Sequence, residues 1–76
     1  MPAHKTPNVY STAIAANLGA LAQHLTEAAE LARQAQGTME RGRQSEAIGT
    51  VLALEKLLPE AQAFFKAALV LHLNRK

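Results

Sequence analysis

The chain has 76 residues, of which 49% are hydrophobic, 4% aromatic and 18% charged, with a formal net charge of +2. This length allows one domain at most, close to the lower limit for a core that is stable alone. The sequence contains no cysteine, which excludes a disulfide framework and a structural zinc site built on thiolates. A chain this short without such braces needs very regular helix packing or a partner subunit.

The distribution of positive charge argues against a nucleic-acid-binding surface. Lys5, Arg75 and Lys76 lie at the two ends of the chain. Nucleic-acid binding normally requires a basic stripe along one helix face, and the sequence has none. Arg41 and Arg43 are close together, but glutamates lie beside them.

Residues 6–26 carry no formal charge, yet polar side chains interrupt this stretch too often for a membrane span. The same region partly resembles a secretory signal, with Lys5 before an apolar run and a cleavage-like sequence at 20–22. Removal of residues 1–22 as a processed signal therefore stays open. The helical periodicity continues across that point, which favours a cytoplasmic protein.

The first helix follows a short tail. Residues 1–5 show no periodicity and are predicted to form a flexible N-terminal tail, with a single helical-hairpin domain over 6–76. Thr6 and Pro7 form a favourable helix start, and Ser11 is a competing cap. Apolar residues then recur at alternating spacings of four and three, as in a helix that packs lengthwise on another: Ile14, Leu18, Leu21, Leu25, Ala28, Ala32, Ala35 and Met39.

A turn is predicted between Gly37 and Gly42. Gly42 is the better C-terminal cap because glycine readily adopts the left-handed conformation that closes a helix. Arg41 is well placed against the helix dipole, and Ser45 is predicted to cap the next helix. So short a connection makes the two helices antiparallel neighbours.

The second helix, over about 45–73, repeats the same spacing in Ala47, Val51, Leu54, Leu58, Ala61, Phe65, Ala68 and His72. Pro59 lies inside it, where proline removes one backbone hydrogen bond and crowds the preceding turn. We therefore expect this helix to be kinked or broken at Pro59, with a kink favoured because the spacing does not slip there. The predicted core residues are Leu18, Leu21, Leu25, Val51, Leu54, Leu58 and Phe65.

The second helix has apolar residues on more than one stripe, which one facing helix cannot cover. The sequence therefore predicts an all-α fold in which two antiparallel hairpins form a homodimeric four-helix bundle. The predicted interface residues are Ile48, Leu52, Leu57, Phe64 and Leu71. A heterologous helical protein is the alternative partner for this surface.

No catalytic, cofactor-binding or metal-binding residues are predicted. In an antiparallel hairpin that turns near Gly42, residue n faces roughly residue 85 − n. His24 then lies level with Ala61 and far from His72, while His4 is in the tail. No two histidines have the i, i+4 spacing of a helical metal site. The chain contains no Asp for a Ser–His–Asp arrangement.

These observations predict a non-enzymatic protein–protein interaction module that acts as a homodimer, such as a small helical adaptor, chaperone or regulatory subunit. The alternative is a small nucleic-acid-binding dimer that uses Arg41, Arg43 and the basic termini. Nucleic acid is the less favoured partner, and no membrane partner is expected.

Overall fold

A computed structural model describes residues 9–74, and this part of the chain forms three α-helices and no strand. Helix α1 spans Val9–Glu40, α2 spans Gln44–Val51 and α3 spans Leu54–Asn74. Helix α1 packs against both α2 and α3. The protein is therefore the predicted all-α antiparallel hairpin, with its second arm divided into two helices. The predicted tail at 1–5 and the predicted cap at Thr6 lie outside the described residues.

The turn after α1 is closed by Gly42, as predicted. Gly42 has a φ of +78°, and its N–H donates to the Met39 carbonyl at 2.8 Å while the Arg43 N–H donates to the Thr38 carbonyl at 3.1 Å. This pair of bonds is the Schellman motif, which satisfies carbonyls that the end of a helix leaves without partners. Only Arg41, Gly42 and Arg43 separate α1 from α2.

Helix α2 begins one residue earlier than predicted. Arg43 occupies the N-cap position without a side-chain capping bond, and Ser45 lies inside the helix, so the prediction of Ser45 as the cap was wrong. The Schellman turn explains this start, because it already fixes the backbone at Arg43, whose carbonyl accepts the Ala47 N–H at 3.0 Å.

The second arm is interrupted at Leu52 and Ala53, and α3 continues through Pro59, so the alternative of a break at Pro59 was wrong, while the favoured kink there stays a prediction. Pro59 lies inside α3, where its missing N–H leaves the Glu55 carbonyl without its helical partner. The interruption lies on the N-terminal side of Pro59, before the turn whose Glu55 carbonyl the proline ring crowds. The junction is tightened by i→i−3 bonds, such as the Glu55 N–H donating to the Leu52 carbonyl at 3.0 Å.

The contact between the two arms is built on small side chains. Within residues 9–74, the buried residues are Ala28, Ala35, Thr38, Ala47, Ala61 and Ala68. Alanines allow two helices to approach closely, and five of these six residues are alanine. No large side chain among the described residues is fully buried.

Four predicted core residues are exposed instead. Leu18, Leu25 and Leu58 each expose 48% of their surface and Phe65 exposes 51%, so these predictions were wrong. The other three, Leu21, Val51 and Leu54, are half-buried.

The helices meet through the alanines of the predicted apolar stripes. Each helix is rotated about its axis, however, so that the residue before each predicted large side chain faces the other arm. On α1 the residues facing the second arm are Asn17, His24, Leu31 and Thr38. The expected residues were the next ones along the chain, Leu18, Leu25, Ala32 and Met39. On α3 the residues facing α1 include Leu57, Phe64 and Leu71. Local hydrogen bonds make this arrangement possible, because buried polar groups need partners. Asn17 Nδ2 donates to the Ala13 carbonyl and Thr38 Oγ1 to the Gln34 carbonyl, both at 2.9 Å.

Candidate interaction surface

One face of the hairpin is marked by His24, which reaches across to the second arm. Its Nε2 lies 2.9 Å from Glu60 Oε1, and its Nδ1 lies 3.0 Å from the Ala20 carbonyl oxygen. The ring also meets Phe64 edge-on, with centroids 5.0 Å apart and planes at 68°. Such an edge-to-face contact is favourable, so His24 joins the arms by polar and aromatic contacts.

The hydrogen bonds of His24 both run to oxygen acceptors. Which of the two ring nitrogens donates depends on the tautomer of the ring. The His24 side chain is 22% exposed and that of Glu60 41% exposed. The pair therefore lies at the rim of the interhelical contact, and no nucleophile contacts it in the described hydrogen-bond network.

The partners of His24 agree with the predicted pairing of the two arms. Its contacts with Glu60 and Phe64 lie on either side of the predicted Ala61 level, so the expected register is correct. The sequence analysis missed the pair itself. Glu60 directly precedes Ala61, the residue predicted to lie level with His24. This position is the signal from which the His24–Glu60 pair could have been predicted.

The opposite face of the hairpin is apolar. His24, Glu60 and Phe64 lie on one side of the contact between the arms. The residues one position after the contact residues, such as Leu25 after His24, therefore lie together on the opposite side. The large residues there are 44–53% exposed. We call this surface the apolar face and define it as Leu18, Leu25, Met39, Ile48, Leu58, Phe65 and Leu69.

The apolar face extends along the hairpin because large residues of the two arms lie at similar levels. In the register set by His24, residue n of α1 faces roughly residue 85 − n, so Phe65, Leu58 and Ile48 lie about two residues from the levels of Leu18, Leu25 and Met39. The α1 positions between them hold Ala15, Ala22, Ala29, Ala32 and Gln36. Among the described residues, these stripe positions hold one carboxylate, Glu55, and one histidine, His72.

The predicted interface residues are divided between two surfaces. Leu57, Phe64 and Leu71 are half-buried on the side of α3 that faces α1. Ile48 and Leu52 are 53% and 55% exposed, and Ile48 belongs to the apolar face. The structure therefore does not bring these five residues together on one exposed surface, and their role in a dimer stays a prediction.

A depression lies beside α1, next to His24. It has a volume of about 710 Å³ and is lined in part by Gln23, Thr26 and Glu30. Thr26 Oγ1 donates to the Ala22 carbonyl at 2.9 Å. Within residues 9–74, no three His, Cys, Asp or Glu side chains are grouped so that they could hold a metal ion.

Glu30 belongs to a local polar cluster on the same side of α1. Its carboxylate accepts from Arg33 Nη2 at 2.7 Å and from Gln34 Nε2 at 3.3 Å. The pKa of Glu30 is held below its ordinary value. The largest cause is the hydrogen bond from Arg33, followed by the hydrogen bond from Gln34 and the positive charge of Arg33. The Glu30 and Arg33 side chains are both exposed, so the cluster is a solvated surface feature.

Two arginines flank the turn and make only local contacts. Arg41 Nη2 donates to Thr38 Oγ1 at 3.3 Å, and Arg43 Nη1 lies 3.6 Å from Glu46 Oε1. Arg75 and Lys76, which the nucleic-acid alternative also uses, lie outside the described residues.

Comparisons of the chain with models of known protein families, with curated proteins and with solved structures gave no match. Within the described residues, no helix is both long and apolar enough to cross a lipid bilayer.

Proposed function

We propose that this protein is a non-enzymatic protein–protein interaction module that works as a homodimer, with two hairpins forming a four-helix bundle in the cytoplasm. In this role it acts by helix association, as an adaptor, small chaperone or regulatory subunit. The observation that carries the proposal is a hairpin whose interior holds small side chains while its large apolar side chains remain half-exposed.

The interior of one hairpin is too thin to account for the stability of a domain. Alanine contributes little apolar area, and the buried set consists of alanines and one threonine. A Leu or Phe side chain contributes about 1.5–3 kcal/mol when fully buried, but those of the apolar face are about half-exposed. Association that covers these side chains would supply the missing stabilisation.

The shape of the molecule supports the same proposal. Its principal extents are 60 × 25 × 11 Å, and 11 Å is about the thickness of one helix. Stable domains are built from at least two packed layers, whereas a single hairpin is one layer. A second layer of helices converts it into a four-helix bundle.

Sedimentation equilibrium across a wide range of concentrations tests the proposal. We expect a mass of twice the 8.1 kDa chain at micromolar concentrations, with reversible dissociation on dilution. A helical, folded monomer at every concentration would contradict the homodimer. A series of ever larger species would contradict a closed bundle.

A further inference from the structure

We infer that the apolar face is the surface through which two copies of the chain associate. This inference rests on the proposed homodimer and deepens it by naming the contact. It replaces Leu57, Phe64 and Leu71, which face α1 within the chain, by Leu18, Leu25, Leu58 and Phe65. It retains Ile48 and leaves out Leu52.

The area of the apolar face suits a dimer contact. Its seven large side chains are each about half-exposed, which amounts to roughly 600–700 Å² of apolar surface. The alanines between them add to this area. A stable interface of standard size buries ~800 Å² per partner, so one such face per chain is sufficient.

The chemistry of the face fits a second copy. A partner must be long, flat and largely apolar to cover it, because Glu55 is the one Asp, Glu, Lys or Arg that this face carries within the described residues and a buried unpaired charge is costly. The face of another copy has these properties. Along α1, Leu18 and Leu25 alternate with Ala22 and Ala29, so the large side chains of one copy can pack over the alanines of the other.

The other face explains why association would stop at two copies. It carries the His24–Glu60 pair together with Glu27 and Lys56, which are exposed. Covering this face would remove charged groups from water without partners. One apolar and one polar face give a closed two-fold assembly of two layers.

Single-cysteine variants test the inference directly, since the chain contains no cysteine. Leu25→Cys and Phe65→Cys place a thiol on the apolar face, and Val70→Cys is the matched control, because Val70 is 53% exposed and points away from that face. We expect the first two thiols to react with a soluble maleimide at least about tenfold more slowly at dimeric concentrations than on dilution. The control should react quickly at both concentrations.

A charged substitution at the same places gives a second measurement. Leu25→Glu should raise the dimer Kd at least about tenfold by sedimentation, while Val70→Glu should change it by less than about threefold. Helix content by circular dichroism identifies a variant that fails to fold. In that case Leu25→Ala, which keeps good helix propensity, should still raise the Kd.

The outcomes separate the inference from the proposed function. If the unmodified chain is monomeric at every concentration, the homodimer itself is wrong and this inference fails with it. If the chain dimerises but the thiols at 25 and 65 stay reactive, the homodimer stands and the apolar face is not its contact. Protection of those thiols, with a reactive thiol at 70, supports both.

Discussion

Gly42 shows how a single residue defines the connection between the two arms. Its φ of +78° lies in the left-handed region, which glycine adopts without the steric penalty of a side chain. A Cβ atom added at Gly42 would meet no heavy atom within 4 Å. The requirement for glycine is therefore one of backbone conformation, not of space.

We predict that Gly42→Ala lowers the free energy of unfolding by about 1–2 kcal/mol, because alanine is strained in this conformation. Gly49→Ala is the matched control, since Gly49 also has open space around it but lies in α2 without a positive φ. That substitution should raise the free energy of unfolding by about 0.5–1 kcal/mol. Urea unfolding at one fixed protein concentration measures both, and equal effects of the two substitutions would rule out a conformational role for Gly42.

Glu30 gives a pH-dependent prediction at the same scale. Its folded-state pKa is lowered, so its contribution to stability is present above the unfolded-state pKa and is lost as the pH falls through the lower, folded-state value. Arg33→Ala should raise this pKa more than Gln34→Ala, because Arg33 supplies the largest hydrogen-bond effect and also a charge. Side-chain carboxyl NMR titration measures the order, and a larger effect of Gln34→Ala would contradict the assigned cause.

At the scale of elements, the two arms differ in how regular they are. Helix α1 runs for 32 residues, whereas the second arm is divided into α2 with 8 residues and α3 with 21. The division at Leu52 and Ala53 lies on the N-terminal side of Pro59. The ring of Pro59 crowds the Glu55 carbonyl four residues back, which lies inside α3, so the division lies before the turn that the proline crowds.

We predict that Pro59→Ala stabilises the second arm. The new N–H can donate to the Glu55 carbonyl, and removal of the ring relieves the crowding, so the free energy of unfolding should rise by about 1–3 kcal/mol. Lys66→Ala, an exposed change in the same helix, should alter it by less than about 0.5 kcal/mol. Denaturant unfolding provides the measurement, and a loss of stability in Pro59→Ala would mean that the proline ring contributes more by packing than it removes.

For the whole molecule, the decisive feature is the separation of a polar and an apolar face on one layer of helices. The polar face carries His24 and Glu60, which bind each other across the arms. Glu55 is the one Asp, Glu, Lys or Arg that the apolar face carries within the described residues. An assembly formed through it is held by apolar burial, which salt does not screen.

We therefore predict that salt does not weaken the proposed homodimer. Raising NaCl to about 1 M should leave the dimer Kd unchanged or lower it, because ionic screening acts on charged contacts and apolar association has none to lose. Sedimentation at low and high salt measures this. A dimer that dissociates at high salt would indicate a contact made by ion pairs, such as one through Arg41 and Arg43.

The sequence by itself determined the helical fold, the antiparallel hairpin, the turn at Gly42 and the level of His24 against the second arm. Each depends on short-range chemistry: helical periodicity, glycine in the left-handed region, and a short connection. These are properties of neighbouring residues, so the sequence contains them in full.

Only the tertiary structure decided which residues, together with the buried alanines, face the other arm. Ala28, Ala35, Ala61 and Ala68 belong to both possible contacts, so the choice lies between apolar residues such as Leu18 and Leu25 and the more polar set that includes Asn17 and His24. The hydrophobic pattern favours the leucines. The polar set is accommodated because Asn17 and Thr38 bind carbonyls four residues back, while His24 binds Ala20 and Glu60. The spacing of apolar residues contains no information about those hydrogen bonds. Because the hydrogen-bonded residues face inward, the leucines remain on the surface.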